Sequence, residues 1–429
     1  MSLWAAGSNP HAQLGVGHAE DAHVLARCVC IDGGEQQPFP PPGWRVCEVA
    51  NNASTTLALC VRTDGGQETS AWAAGRWPSE DADASPAFHR VQPSEIAPVL
   101  GDAAEHWAAT HVGATFDTMF LSLRLMGGAE GADDVVLSAG HGNAFGQLGM
   151  GPYAPQHTRI HRVQLDPVKG DGEKDAVLRV DALAGGVRHA AAVVRVVRAE
   201  TLRTLVVGWG QARAGQLGHP LPAPVRGPSG QPCCAHWAPV AVWRSESPGE
   251  HRVQLSLGRS HTAIGVRTPG GQEAHLVVLG RDVLPRSVSG LVPSQAQADK
   301  SAVPLPPGRL LLGSTWNTLL GAVACPEGLH IVGGGSEAYG IVAGAQAVAA
   351  RVGRDPVQLA CGSAHALALV RGAVWGWGWN EHGNLSQGTT EDATEPVQLA
   401  LDGTQASAVW GGCGSTFVST EDLECGAST

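Results

Sequence analysis

From Ala373 to Gly388 the chain reads AVWGWGWNEHGNLSQG, an apolar run with three alternating tryptophans followed by a glycine-rich polar turn. Taken alone, the stretch could be an aromatic binding site. Its relatives within the same sequence point elsewhere. Trp4–Gly17 reads WAAGSNPHAQLGVG, Val136–Gly151 reads VLSAGHGNAFGQLGMG and Val207–Gly218 reads VGWGQARAGQLG. Weaker copies stand at Trp72–Gly75, Val277–Gly280 and Ile331–Gly340. In three copies an asparagine stands five residues before a leucine: Asn9 and Leu14, Asn143 and Leu148, Asn380 and Leu385.

A second signature alternates with the first. GVRHAAAVV begins at Gly186, GRSHTAIGV at Gly258 and GSAHALALV at Gly362, with looser copies beginning at Asn52, Ala114, Ser314 and Gly412. Each signature occurs seven times, and the polar slot of the second falls at Thr55, Asp117, His189, His261, Asn317, His365 and Ser415. The second signature leaves a small-residue turn and alternates small with apolar side chains, the period-two pattern of a strand. The first runs from an apolar strand into glycines that permit positive φ, then into a Leu-Gly return.

A unit of about fifty residues with about four short strands is a propeller blade, and blades close radially to protect their edges. The sequence therefore predicts an all-β, seven-bladed β-propeller of four-stranded antiparallel blades, a single domain over residues 1–429. The chain opens on a first-signature strand, Leu3–Ala6, and closes after a second-signature strand, Val409–Val418, so the two are expected to share a blade and clasp the ring. Blades longer than the basic unit should carry surface-loop insertions, near 77–106, 167–176, 219–251 and 282–309.

Composition narrows the function. With 39 acidic and 28 basic residues the net charge is −11. A body of that sign repels phosphate backbones, so direct nucleic-acid binding is not expected. The acidic balance is expected to aid solubility or to steer a basic partner. The first residues, MSLWAAGSNPHAQLG, lack a basic region followed by an apolar one, and no apolar run reaches membrane-spanning length. The ten scattered cysteines are expected to be reduced, inside the cell.

The alternation of G-x-N-x-x-x-Q-L-G with G-x-x-H-T-hydrophobic resembles the regulator of chromosome condensation family, whose fold is a seven-bladed propeller, and the resemblance covers essentially the whole chain. Three stretches are similar to one fungal branch of that family: GSNPHAQLGVGH at the start, HVGATFDTMF from His111 and GWGWNEHGNL from Gly376. The resemblance implies a protein-binding propeller whose partner is the small zinc-ribbon protein of diphthamide synthesis. It also implies a link to Elongator, in support of tRNA wobble-uridine modification, in the cytoplasm with the nucleus as a second location. The thirteen tryptophans are also similar to the tryptophan-rich plant ultraviolet photoreceptor of the family, but its Gly-Trp-Arg-His-Thr motif has only GVRHA at Gly186 as a counterpart.

Catalytic readings find little footing. Because the slot of the second signature holds Thr, Asp, His, Asn or Ser in different repeats, a role shared by all fits best, such as satisfying turn backbone groups. Cys28-Val29-Cys30 and Cys233-Cys234-Ala235-His236 lack the paired spacing of a zinc site. GGGSEAYG at 333–340 follows a strand but shows no helix pattern after it, so it reads as a blade turn and not as a phosphate cradle. No catalytic residue, metal ligand or cofactor is expected.

Trp375 and Trp377 are expected to fill the wedge between blades, with Trp410 on the strand expected nearby. Trp379 stands where the strand gives way to a polar turn. With Glu381 and His382 it forms the first candidate partner-binding site, and Phe116-Asp117 and Trp316-Asn317 are two more. The alternative function is guanine-nucleotide exchange on a Ran-like small GTPase, with a wedge in the insertions at 77–106 or 219–251. Adaptor work in ubiquitin or signalling pathways is a third reading, on which no residue bears.

Overall fold

The structure is a computed structural model. It describes residues 1–421 except 67, 79–81, 128–130, 141, 152–158, 170–174, 199–200, 227–231, 246–248, 270–273, 282–302, 306–307, 326–327, 353–356 and 402. Seven antiparallel blades form a closed ring, in chain order Trp44–Arg90, Trp107–Arg162, Val177–Arg244, Arg252–Leu305, Arg309–Gly335, Val357–Gln398 and a closing blade. We number them 1 to 7 and count strands outward from the axis. The first strands of neighbouring blades touch all the way round, including blade 7 with blade 1.

The closing blade takes its two inner strands from Gln405–Gly411 and Ser415–Glu421 and its two outer strands from Ser2–Gly7 and Ala22–Arg27. Six consecutive residues, Ser2–Gly7, pair antiparallel with Thr420–Ser415. The expected clasp is thus the fold's actual seam.

The two signatures lie opposite one another. In blades 2 and 5 strand 2 opens one residue after the slot, at Thr118 and Thr318. In the other five the slot residue opens it, and the glycine closing the first signature ends strand 3 beside it: Gly7 faces Ser415, Gly75 faces Thr55, Gly210 faces His189, Gly280 faces His261 and Gly378 faces His365. These glycines have positive φ, and an added Cβ would lie 2.0–2.7 Å from a turn carbonyl. Glycine is required there on both counts. A second glycine, three residues before each slot histidine, makes room for its ring. A Cβ on Gly258 or Gly362 would fall 2.1 Å from the Cε1 of His261 or His365.

Blade 5 departs from the plan. Among the described residues it has three strands, and α2 (Ile341–Val352) packs against its third strand, its second strand and blade 6. The helix follows directly on 333–340, where the sequence reading saw no helix pattern. That reading is corrected: Ile341, Gly344, Ala345 and Val348 are buried at i, i+3, i+4 and i+7. A segment so rich in alanine and glycine offers little polar contrast, which hid the period. Trp377 is fully buried against this helix and donates its indole N–H to the Ile341 carbonyl at 2.9 Å. Trp375 is half-buried, under the guanidinium of Arg351 at 5.4 Å. Both tryptophans pack in the wedge between blades 5 and 6. Trp410 packs elsewhere, half-buried against the core shared by blades 7 and 1.

The expected insertions also hold more than loop. Residues 77–106 include the fourth strand of blade 1 (Ser85–Arg90) and α1 (Pro93–Leu100). Residues 219–251 contain the outer strand of blade 3, Ala235–Arg244. Residues 167–176 begin in a short 3-10 turn (Asp166–Val168) and continue into residues outside those described. Most of 282–309 also lies outside them, although Val303–Leu305 is the outer strand of blade 4. Outer strands were overlooked because a blade's edge is only half covered, so its residues do not alternate cleanly.

Candidate partner-binding rim

Each first strand runs to a tight turn, and each third strand ends beside that turn, so the strand 1–2 turns and strand 3–4 loops leave by the same face. This face is the turn rim. A chain of backbone hydrogen bonds circles it from blade to blade. Ala53 donates to Phe116, Phe116 to Val187, Val187 to Gly258, Arg259 to Trp316, Trp316 to Ser363 and Ser363 to Gly412, at 2.6–3.4 Å. The last link is a side chain: the N–H of Cys413 donates to Asn51 Oδ1 at 2.9 Å.

The slot histidines strengthen this circle. His189 Nε2 meets the hydroxyl of Thr262 in the next blade at 3.0 Å. His261 meets Ser314 at 3.0 Å, and His365 meets Thr416 at 3.1 Å. Burial opposes charging of these rings, pushing His189 down to about 3 and His261 and His365 down to about 4. They are neutral latches between blades. Ser415 makes the corresponding bond from blade 7 to Asn51 of blade 1 at 2.7 Å, whereas Thr55 bonds the Arg76 carbonyl of its own blade. The slot role is therefore structural, as its variability implied, but in four blades it reaches across a seam and does not serve the local turn. Between blades 2 and 3 the side chain of Asp134, fully buried, accepts from Arg124 at 2.9 and 2.7 Å and from the Val180 N–H at 2.9 Å.

The asparagines of the first signature build the strand 3–4 loops. Asn9, Asn143 and Asn380 each accept at Oδ1 from the N–H of the leucine five residues on, at 2.7–3.1 Å. Each donates its side-chain amide to carbonyls later in the loop.

All seven candidate residues stand on this rim, in two groups. Phe116 of blade 2 and Trp316 of blade 5 belong to blades that are not neighbours, yet their rings meet edge to face at 5.6 Å across the mouth of the central channel. Beneath them lies a cavity of about 210 Å³ whose lining includes Asn51, Ser314, Cys361 and Cys413. Burial pushes the Cys361 thiol up to about 12 and the Cys413 thiol up to about 11. Such thiols are poor nucleophiles. Phe116 is 41% exposed, unusual for a phenylalanine in a chain with six, and Asn317 is exposed beside the pair. Asp117 turns back to Thr115 and Thr118, at 3.2 Å each, and to Gln147 at 3.1 Å.

The second group sits at the seam of blades 6 and 7. Trp379 is half-buried, with the His382 ring edge-on at 5.3 Å, and His382 Nδ1 lies 2.8 Å from the Asp21 carboxylate of blade 7. Glu381 is exposed.

Sequence reasoning passed over four arginines on the rim. Arg188 and Arg259 occupy the turns of blades 3 and 4, and Arg213 and Arg281 the loops after their third strands; all four are exposed. A signal was present in GVRH and GRSH, whose middle letters must point outward once the glycine and histidine point in. Among the described residues no three His, Cys, Asp or Glu side chains gather as a metal site, and no helix is long and apolar enough to cross a membrane.

Comparison with known proteins places one repeat firmly. Residues 371–419 match the family described as the regulator of chromosome condensation repeat. A segment of 67 residues is 40% identical to the Ultraviolet-B receptor of Arabidopsis thaliana, covering 15% of each chain. Another, of 59 residues, is 37% identical to the secretion-regulating guanine nucleotide exchange factor of Mus musculus, covering 14% of this chain and 13% of that protein. The matched segments thus span about one seventh of these relatives' lengths. Among solved structures, human WBSCR16 aligns over 98% of this chain and 99% of its own, at 14% identity and a TM-score of 0.47. The matched residues run through the outer half of blade 6 and the inner half of blade 7, so the sequence repeat straddles two blades. The chain therefore carries a regulator of chromosome condensation repeat, set in a seven-bladed propeller.

Proposed function

We propose that this propeller is a non-enzymatic protein-binding subunit whose turn rim holds the small zinc-ribbon protein of diphthamide synthesis. Through that complex it supports diphthamide synthesis and, with Elongator, modification of the tRNA wobble uridine, in the cytoplasm and also the nucleus. The observation that carries the binding reading is the Phe116–Trp316 pair. An exposed aromatic, braced edge-on by a second ring at the centre of a rigid face, has the composition and placement of an interface hot spot. The choice of partner rests on the stretches HVGATFDTMF and GWGWNEHGNL, which resemble the fungal alpha-tubulin suppressor, also called a killer-toxin-insensitivity protein. Each contributes one of the aromatic groups on this rim.

Purification of the tagged full chain from its own cells should recover the zinc-ribbon protein. Phe116→Ala with Trp316→Ala should cut that recovery by about tenfold or more while leaving the melting temperature within a few degrees. Absence of a complex when the two purified proteins are mixed at micromolar concentration would overturn the assignment.

A second reading is guanine-nucleotide exchange on a Ran-like small GTPase. The mouse relative named as an exchange factor favours it, through 59 residues. Accelerated nucleotide release from such a GTPase at catalytic amounts of this chain would put this reading first.

A further inference from the structure

The turn rim is electrically divided. Its exposed or half-buried carboxylates, among the described residues, are Asp83 of blade 1, Glu337 of blade 5, Glu381, Glu391 and Asp392 of blade 6 and Glu20 and Asp21 of blade 7, besides Asp117 of blade 2; blades 3 and 4 carry none. Blades 3 and 4 present Arg188, Arg213, Arg259 and Arg281, all exposed, and none of the four is paired with a carboxylate among the described residues. Asp117, the carboxylate of the adjoining turn in blade 2, is engaged by two hydroxyls and an amide. In a chain of net charge −11 such a concentration of unpaired positive charge is not what composition gives by default.

The arginines are also organised. The backbone N–H of Gln211 bonds the Arg188 carbonyl at 2.8 Å, and the N–H of Arg281 bonds the Ser260 carbonyl at 3.2 Å, so each blade offers one arginine from its turn and one from the loop beside it. Two guanidinium groups rest on aromatic rings: Arg188 lies 4.4 Å from the Phe145 centroid and Arg259 lies 5.7 Å from that of Trp316. A planar cation held on a ring keeps its N–H fork free for a carboxylate and has lost part of its conformational freedom before binding. Arg259 shares Trp316 with Phe116, so the positive ground runs up to the apolar pair at the channel mouth.

We propose that blades 3 and 4 of the turn rim form a docking surface for an acidic protein segment, its carboxylates on Arg188, Arg213, Arg259 and Arg281 and an apolar side chain on Phe116 and Trp316. The inference rests on the turn rim being the binding face, as above, and adds the chemistry of what binds. Charge complementarity selects an acidic occupant, the guanidinium forks match carboxylates, and the edge-to-face pair Phe116–Trp316 offers a seat to an apolar side chain, which together favour an acidic peptide.

The test uses the full chain and a fluorescein-labelled poly-glutamate peptide with a central Leu-Phe pair, read by anisotropy. Binding should weaken as salt rises, and Arg188→Glu with Arg259→Glu should lower affinity by about tenfold or more without changing the melting temperature. Arg213→Glu with Arg281→Glu should act in the same direction. Arg252→Glu, at the opposite end of its strand, should have no effect. Equal loss from Arg252→Glu, failure of the peptide to bind, or equal binding of a single-stranded oligonucleotide would each overturn the proposal. Loss of peptide binding with the zinc-ribbon protein still co-purifying removes this inference alone. A bound peptide with no zinc-ribbon partner supports it and removes the identity of the partner instead.

Discussion

At the scale of single residues, the repeat is written in steric necessities. The imidazole of His365 lies where the Cβ of any residue but glycine at 362 would stand, and the same holds for Gly258 and His261. Gly362→Ala should therefore destabilise the protein by about 1–3 kcal/mol, the range for forcing an extra carbon into a filled interior. Gly131→Ala, where φ is ordinary and nothing lies within 4 Å, should change stability by less than about 0.5 kcal/mol. Denaturant titration of both variants reads the difference. These glycines were legible because only one residue type fits each place, and the histidines because they recur three residues after them. The destination of the histidine was not, since the hydroxyl it meets lies 51 to 73 residues away on another blade. Nor could Phe116 and Trp316 be paired from the sequence. Their meeting depends on the diameter of the ring, which no local pattern encodes.

At the scale of elements, the second and third strands of each blade were readable, whereas the first strands, apart from the end of the one in the closing blade, and the outermost strands were not. Strands 2 and 3 are covered on both sides, and their alternation of small and apolar residues survives as a pattern. The closing blade turns this into a prediction. Removing residues 1–7 deletes its third strand, leaves Ala22–Arg27 without a neighbour and strips six paired residues from Ser415–Thr420. Leu3, Ala5 and Ala6, all fully buried, go with it. Such a loss is worth several kcal/mol and should lower the melting temperature by on the order of 10 °C. A truncated chain that melts with the parent would refute the clasp. The helix of blade 5 shows the limit of pattern reading: its buried positions follow the helical period, but the residues between them are mostly Ala and Val.

At the scale of the whole molecule, the latches make the ring sensitive to acid. The folded chain holds His189 at about 3 and His261 and His365 at about 4, against about 6.5 when unfolded. Between those values the unfolded chain binds more protons than the folded one. The stability these groups contribute is therefore full above about pH 6.5 and is lost as the pH falls from there through the folded values. Each buried histidine should add about 1.4 kcal/mol per pH unit to the slope of stability in that window. His365→Thr, which places in blade 6 the residue that opens strand 2 in blades 1, 2 and 5, should remove one proton's worth of that slope. An unchanged slope between pH 4.5 and 6, about the middle of the window, would show that the ring carries no such penalty.

The sequence repeat and the structural blade are out of phase by half a unit, which is why one blade is assembled from both extremities of the polypeptide. Because Ser2 sits beside Thr420 at that junction, a short connecting peptide would turn two separate strands into an ordinary hairpin. The chain could then be reopened in the loop between any other second and third strand. Where the polypeptide is interrupted is thus a matter of genetic order, and the geometry is indifferent to it.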